Sequence, residues 1–197
     1  MSQGPVALNR QCSPQPSVSN FAKGIFISIG EDPQREGLLK TPERFHRAMQ
    51  ELTAGYSQTP EGVVGDGIFR SESKSVICVK DIEFYSLCEH HMLPFWGKAS
   101  SSYLPDEKIL GLSKLARVLD VFARRLQVQE RLTKEVAESI YTLVDAKAVA
   151  VVVEAQHMCM MMRGVKKQSS LTKTEYIVGA EKLSEFELSR IWKQFDN

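Results

Sequence analysis

The stretch AVAVVVEAQHMCMMMR, Ala148–Arg163, opens with six apolar residues, four of them valine. Because β-branched residues favour strands, the pattern predicts one long strand over the whole stretch. Side chains alternate along a strand, so His157, Cys159, Met161 and Arg163 are expected to share one face. An extended chain would place His157 roughly 20 Å from Arg163, a span that suits a ligand with a reactive head and a long anionic tail. The intervening methionines are expected to pack in the core: Met158, Met160 and Met162.

The segments before and after this stretch complete a sheet with helices. SVICVKDIEFYS (75–86) and GKASSSYL (97–104) are predicted strands, and SSLTKTEYIV (169–178) is the expected partner of the long strand. Two amphipathic helices lie between the strand pairs, and the order strand, strand, helix, helix, strand, strand predicts an α+β fold. The apolar helix faces are Leu115, Leu119, Phe122 and Leu126, followed by Leu132, Val136, Ile140 and Leu143.

The segments outside this pattern are expected to form three regions. Residues 1–16 are predicted to form a disordered tail, residues 17–74 an N-terminal helical region, and residues 75–197 the main domain, which contains the sheet and a C-terminal helix. A first helix is expected over Ser19–Ile29, and a second begins at Thr41, with residues 57–74 forming a loop. Ser184 and Glu187 have the spacing of a capping box, which predicts a final helix.

Composition excludes several classes of protein. The chain has 197 residues, a formal net charge of +1 and 25% charged residues, so nothing indicates a nucleic-acid or membrane partner. The longest apolar run ends at Glu154 and is too short to span a bilayer. No signal peptide is visible, and four cysteines without a framework spacing fit a reducing compartment. These features predict a soluble cytosolic protein.

The stretch CEHHMLPF, Cys88–Phe95, carries the clearest chemistry. Cys88 and His91 have a Cys-x-x-His spacing that can close on one metal ion. Adding Cys159 gives two thiolates and one imidazole, a set used by catalytic zinc sites that keep a fourth position for water. His90 and His157 then remain as acids or bases. The alternative is a structural zinc, for which one of these histidines would supply the fourth ligand.

Two further stretches have both a functional and an ordinary interpretation. In GLSKLARVL, Ser113 can cap a helix whose first turn carries Lys114 and Arg117, which together could bind phosphate. On its own, this pattern is more typical of a solvated basic face. In QVQERL, Gln129 and Glu130 begin the second helix, and a carboxylate can accept the two parallel N–H bonds of a guanine edge. An ordinary helix-initiating glutamate explains the same residues at least as well.

Three long motifs in this order and spacing resemble the GTP cyclohydrolase I family: CEHHMLPFWGKA, LGLSKLARVLDVFARRLQVQERLT and EAQHMCMMMRGV. The resemblance runs from about Asp32 to Gly179. It implies the tunnelling fold, a four-stranded antiparallel sheet with two helices on one face. It also implies a cyclic homo-oligomer, usually of two face-to-face pentamers, with active sites between subunits.

The resemblance also implies residue roles. Matching positions are Cys88, His91 and Cys159 as zinc ligands; His90, His157 and Ser113 as catalytic residues; Lys114, Arg117 and Arg163 as triphosphate contacts; and Gln129 with Glu130 as guanine contacts. The implied reaction is hydrolytic attack on carbon 8 of GTP, with His157 protonating nitrogen 7, followed by release of formate. His90 and Ser113 then assist a rearrangement to 7,8-dihydroneopterin triphosphate without a redox cofactor. Glu175 and Tyr176 depart from the family pattern, so no role is transferred to them.

Other protein classes fit less well. A catalytically inactive, zinc-stabilised scaffold or regulatory subunit of the same fold would be expected to lack some of these histidines or cations, and all are present. A zinc nucleobase deaminase would carry His-x-Glu with Pro-Cys-x-x-Cys, which is missing. A pterin synthase of the same fold uses three histidines on zinc, which the two cysteines disfavour. The sequence leaves open whether the product serves folate, tetrahydrobiopterin or a modified nucleoside.

Overall fold

The structure, a computed structural model, describes residues 18–196, so the predicted tail at residues 1–16 lies outside the described residues. The helices are α1 (Val18–Ser28), α2 (Thr41–Leu52), α3 (Pro60–Val64), α4 (Leu112–Ala123), α5 (Gln129–Val144), α6 (Met158–Met161) and α7 (Glu185–Trp192). The strands are β1 (Ile68–Arg70), β2 (Ile77–Cys88), β3 (Pro94–Leu104), β4 (Lys108–Leu110), β5 (Leu126–Gln127), β6 (Ala148–His157) and β7 (Thr172–Val178).

The chain divides into two compact units between Gln50 and Glu51, whereas the boundary expected from the sequence follows residue 74. In the first unit, α1 forms where a helix was predicted, and α2 begins at Thr41 with Pro42 buried in its first turn. Proline fits there because the first helical N–H has no partner within the helix. None of the helices within residues 18–196 has the length and apolar character needed to cross a membrane.

A five-stranded sheet organises the second unit, in the order β5-β2-β3-β6-β7. The four long strands pair antiparallel, while the two-residue β5 runs parallel to the end of β2. Helices α4 and α5 pack together on one face of this sheet. The predicted α+β arrangement, two helices on one face of four antiparallel strands, is therefore confirmed.

Alternation along the strands produces the core between sheet and helices. Every second residue of β6 faces the helices and is fully buried, as Val149, Val151 and Val153 show. A smaller cluster lies on the opposite face, where Ile191 of α7 packs with Leu104 and small residues of β6. The capping box at the start of α7 is confirmed, because the Ser184 hydroxyl accepts a hydrogen bond from the backbone N–H of Glu187.

Residues 57–74, predicted as a loop, contain α3 and β1. The Thr59 side chain accepts a hydrogen bond from the backbone N–H of Gly62, and Pro60 occupies the first turn, a start signal that the glycines of this segment obscured. β1 pairs with β4, which the sequence also did not predict. Leu126 was expected on the face of the first amphipathic helix, but α4 ends at Ala123 and Leu126 lies in β5.

The long strand predicted over Ala148–Arg163 is wrong beyond His157. Phe95 is the residue of β3 opposite His157, and β3 begins one residue earlier, so the following residues have no strand to pair with. Methionine is a good helix former, and residues 158–161 form the short helix α6 instead. The prediction that these methionines pack in the core is therefore wrong. Met158 and Met160 are half-buried, and Met162 is 58% exposed.

Substitution of Gly97 tests the close approach of β3 to β6. A Cβ atom at this position would lie 1.9 Å from the backbone oxygen of Glu154 and 2.7 Å from the Cα atom of Ala155. Because backbone must move to relieve this overlap, Gly97→Ala is expected to lower the free energy of unfolding by about 1–3 kcal/mol in chemical denaturation. Gly24→Ala in α1 is the control, since within residues 18–196 no atom outside its chain neighbours and the backbone of its own helix lies within 4 Å of its added Cβ. Equal stability of the two variants would contradict this account of the sheet.

Candidate metal centre and active site

The tight turn between β2 and β3 presents one half of the site. Cys88 ends β2, and its backbone N–H donates to Leu93 O at 2.9 Å while its carbonyl accepts from Met92 N at 2.7 Å. Met92 adopts φ 53°, which closes the turn. Cys88 is buried and both following histidines are exposed, with the Nδ1 atoms of His90 and His91 each 3.8 Å from Cys88 Sγ.

The junction of β6 and α6 presents the other half. His157 ends the strand with extended backbone, φ −117° and ψ 115°, and Cys159 follows within the helical turn. This change of direction brings Cys159 to the turn after β2. The candidate ligand atoms of Cys88, His91 and Cys159 all lie within 4.8 Å of one another.

The spacing of these three side chains fits a metal ion. Tetrahedral ligand atoms about 2.0–2.3 Å from one ion lie roughly 3.5–4 Å apart, close to the 3.8 Å between Cys88 Sγ and His91 Nδ1. Burial raises the pKa of the Cys159 thiol, and the neighbouring Cys88 raises that pKa further. Metal binding would therefore release the proton of the Cys159 thiol. No other group of three such side chains gathers within residues 18–196.

His157 lies beside this group and is held on two sides. Its ring stacks on Phe95 with the centroids 4.6 Å apart and an interplanar angle of 3°. Its Nε2 atom lies 2.8 Å from Oε1 of Gln129. Burial lowers the pKa of His157, and the nearby Glu130 carboxylate acts in the opposite direction. The neutral imidazole is therefore favoured over the charged one.

The two residues predicted to contact guanine have different surroundings at the start of α5. Glu130 is exposed, and its carboxylate acts to raise the pKa of His157. The Gln129 side chain is only 2% exposed, and its amide nitrogen donates to acceptors on β6 and β7. Of the pair, only Glu130 offers its side chain to solvent.

An ion pair that the sequence did not indicate supports the turn carrying His90. Arg131 of α5 bonds the Glu89 carboxylate, whose Oε1 lies 3.8 Å from His90 Nε2. The Arg131 hydrogen bond holds the pKa of Glu89 below its usual value. Arg131 also donates from Nε to Gln127 Oε1 at 2.9 Å. Gln127 and Arg131 are four residues apart, a spacing that could have indicated their contact. Glu89 is distant from Arg131 in the sequence, so no local spacing indicates the ion pair.

Ser113 and Lys114 lie in the first turn of α4, at the end away from the candidate ligands, and Arg117 lies near the middle of the helix. Ser113 was expected to cap this helix and does not, because the N-cap is Gly111 and Ser113 lies exposed in the first turn. The other end of α4 leads to β5, where Gln127 pairs with Cys88. Twelve helical residues span about 18 Å. Lys114 lies about 14 Å and Arg117 about 9 Å along the helix from Ala123, so one chain separates Ser113 and Lys114 from the candidate ligands.

Arg163 lies next to the candidate ligands. Its Nη1 atom is 3.1 Å from His91 Nε2, because α6 reverses the chain between His157 and Arg163. The predicted separation of His157 and Arg163 depended on an extended chain and is wrong.

The fold and the site together define a tunnelling-fold protein with a candidate metal-dependent active site. Comparison with known proteins gives the particular family: residues 18–193 match the sequence model of GTP cyclohydrolase I, and the chain belongs to this family. It is 55% identical to GTP cyclohydrolase 1 1 of Pseudomonas aeruginosa over 84% of this chain and 89% of that one. It is also 55% identical to GTP cyclohydrolase 1 of Porphyromonas gingivalis, over 88% and 87% of the two chains.

A more distant likeness is found among solved structures. The apo crystal structure of the archaeosine synthase QueF-Like matches with a TM-score of 0.45 and 18% identity, over 55% of this chain and 98% of that one. A similarity at this level decides neither fold nor function.

Replacement of Cys159 tests the candidate metal centre. Cys159→Ser exchanges a thiolate for a poor donor, so bound metal measured by elemental analysis is expected to fall well below that of the parent. Cys78→Ser is the matched control, because Cys78 is also a half-buried free thiol and lies outside the group. Unchanged metal in Cys159→Ser, or an equal loss in both variants, would remove Cys159 from the site.

Proposed function

We propose that this chain is a zinc-dependent hydrolase that opens the imidazole ring of GTP, releases formate and forms 7,8-dihydroneopterin triphosphate. The observation that carries the proposal is the meeting of Cys88, His91 and Cys159 beside the half-buried His157, in a chain of the GTP cyclohydrolase I family. The relatives' names supply the substrate, and the site offers the groups that such a hydrolysis needs.

Two thiolates and one imidazole suit zinc and leave its fourth position open. When bound, zinc lowers the pKa of a coordinated water towards neutrality and so supplies a nucleophile at physiological pH. The residues that would hold the ion are Cys88, His91 and Cys159. We place the protein in the cytoplasm, because Cys78 also remains a free thiol and a reducing compartment preserves thiols.

We assign the proton transfer at nitrogen 7 of the guanine to His157. Because burial lowers its pKa, the protonated imidazole gives up its proton more readily, which suits donation to nitrogen 7. His90 lies exposed on the turn directly after Cys88, and we assign it to the later steps in which the ribose opens and rearranges. His157 is half-buried and His90 is exposed, so the two histidines suit different proton transfers.

We assign guanine recognition to Glu130. Its carboxylate is exposed at the first turn of α5, where the helix dipole favours negative charge. An ionised carboxylate can accept parallel hydrogen bonds from nitrogen 1 and the exocyclic amine of guanine, and such charge-assisted bonds are strong. Arg163, beside His91, contributes positive charge for the phosphates on the same side of the site.

We propose that a second copy of the chain completes the site, within a cyclic homo-oligomer of two pentamers. Ser113 and Lys114 lie about 14–15 Å along α4 from the end near Cys88, and Arg117 about 9 Å, so we propose that a neighbour supplies them. The sheet can accept such a neighbour, because β7 is an edge strand and most of β2 forms the opposite edge. Unpaired strand edges are the natural place for strand addition.

The proposed activity is tested by incubating the zinc-loaded protein with GTP. Formate and, after oxidation, a fluorescent pterin are expected in equal amounts, with both lost on chelation and restored by zinc. Zinc-loaded protein that releases no formate would contradict the proposal and favour an inactive scaffold of the same fold.

Removal of each histidine separates catalysis from metal binding. His90→Ala and His157→Ala are each expected to lower the single-turnover rate on GTP by about 10²–10⁴-fold, the usual contribution of a general acid or base. Zinc content and oligomeric state should match the parent, because neither residue belongs to the ligand set. Loss of zinc in either variant would make that histidine a fourth ligand and support a closed, structural zinc site.

Mixed oligomers test whether two copies share each site. Lys114→Ala and His157→Ala chains are each expected to turn over GTP poorly at low substrate concentration. If the two residues of one site come from different chains, random mixing leaves roughly a quarter of the sites intact and restores activity. Lys114→Ala mixed with wild-type chains measures the dilution effect. Mixtures of the two variants no more active than either alone would place both residues within one chain.

A further inference from the structure

The buried amide of Gln129 has only one possible orientation. Its nitrogen lies 3.0 Å from Val153 O, 3.0 Å from Thr172 O and 3.1 Å from Thr174 Oγ1. Carbonyl oxygens only accept hydrogen bonds, so the amide NH2 has to face them. Rotating the amide by half a turn would press its oxygen against two carbonyl oxygens inside the protein. With the side chain 2% exposed, no water relieves that contact.

The residues around Gln129 hold it in place. Thr133, one helical turn after Gln129, donates to the Gln129 carbonyl at 2.7 Å, and its Oγ1 lies 2.7 Å from that of Thr174. The bonds from Gln129 reach both β6 and β7, so three elements fix one side chain. Gln129 is therefore a rigid group at the start of α5.

The orientation of Gln129 sets the tautomer of His157. Its Oε1 is left facing His157 Nε2 at 2.8 Å, and an amide oxygen can only accept. The proton of the neutral imidazole therefore resides on Nε2, and Nδ1 carries the free lone pair. Within residues 18–196, no hydrogen bond to His157 Nδ1 competes for that lone pair.

A second contact fixes the plane of the ring. Phe95 is fully buried, lies opposite His157 in the β3–β6 pairing, and stacks on the imidazole nearly parallel. Phe95 sets the ring plane, and Gln129 sets the rotation within that plane. A flip of the ring would lose the bond to Gln129 and leave a buried amide oxygen unpaired, which costs free energy.

We propose that Gln129 is a positioning residue: it holds His157 as the Nε2–H tautomer and presents Nδ1 as the nitrogen that exchanges protons with the substrate. The assignment of Nδ1 to the substrate rests on the function proposed above, whereas the tautomer rests on the hydrogen bonds alone. Gln129 acts through His157 and makes no side-chain contact with guanine. In this proposal the neighbouring Glu130, without Gln129, contacts guanine through its side chain.

Spectroscopy of the parent protein tests the tautomer without any substitution or substrate. Solid-state NMR of zinc-loaded protein with ¹⁵N-labelled histidine rings distinguishes a protonated from a bare nitrogen, and His157→Asn assigns the signals. The expected result is a proton on Nε2 of His157 and a coupling of that proton to the Gln129 side chain. A proton on Nδ1 of the neutral ring would overturn the proposal.

Kinetics separate positioning from substrate binding. Gln129→Met keeps the length of the side chain and removes the acceptor, so kcat for GTP is expected to fall about 10–100-fold while KM stays within about twofold. Thr142→Val is the control, because it also removes a polar group from α5 and the Thr142 hydroxyl donates to Glu138 O of the same helix, away from Gln129. Its kcat should stay within about twofold of the parent.

The outcomes distinguish the two proposals. A rise in KM with unchanged kcat in Gln129→Met would make Gln129 a guanine contact and overturn the positioning role. If Gln129→Met does not fold, the NMR spectrum of the parent still decides. An inactive parent with the proton on Nε2 would remove the proposed function and leave the tautomer assignment standing.

Discussion

The antiparallel pairing of β3 with β6 is the constraint on which the site depends. It runs without interruption from Leu104 opposite Ala148 to Phe95 opposite His157, and Gly97 allows the two backbones to approach closely. Because β3 supplies no partner beyond this point, the chain leaves the sheet at His157 and turns into α6. The end of one pairing thus places a histidine against a buried aromatic ring and delivers Cys159 to the turn after β2.

The candidate centre is therefore assembled from strand ends and the start of a helix rather than from one continuous element. Cys88 ends β2, His157 ends β6, and Glu130 lies in the first turn of α5. The core beneath is filled by β-branched and aromatic side chains, so these ends have little freedom to move. Rigid elements are the appropriate support for a site in which ring orientation matters.

Local patterns allowed much of the fold and part of the candidate metal-binding group to be predicted. Residues that favour strands predicted the long strands, helical periodicity predicted α4 and α5, and the short spacing of Cys88 and His91 pointed to one half of a candidate metal site. Cys159 could be assigned to the same candidate site only because it carries a thiol and because the sequence resembles the GTP cyclohydrolase I family. The wrong prediction at the end of β6 has a physical cause. A run of methionines is compatible with a strand and with a helix, and the chain forms a helix there because no neighbouring strand is available for pairing.

Contacts between distant residues could not be predicted. The ion pair of Glu89 with Arg131 joins residues on two elements, and no local spacing reveals it. The role of Gln129 had a signal, because Gln129, Leu132 and Val136 repeat at helical spacing and all face the core. Its proximity to Glu130 in sequence suggested a shared task, whereas adjacent helical residues point in different directions.

The central claim is that Cys88, His91 and Cys159 hold the metal and leave one position open. X-ray absorption at the zinc edge tests it most directly, since it counts the ligands by element. The account predicts two sulfur neighbours at about 2.3 Å, one imidazole nitrogen at about 2.0–2.1 Å and one further light atom that is not an imidazole. The same spectrum is expected for His157→Ala. A second imidazole in the parent, or a single sulfur, would contradict the account.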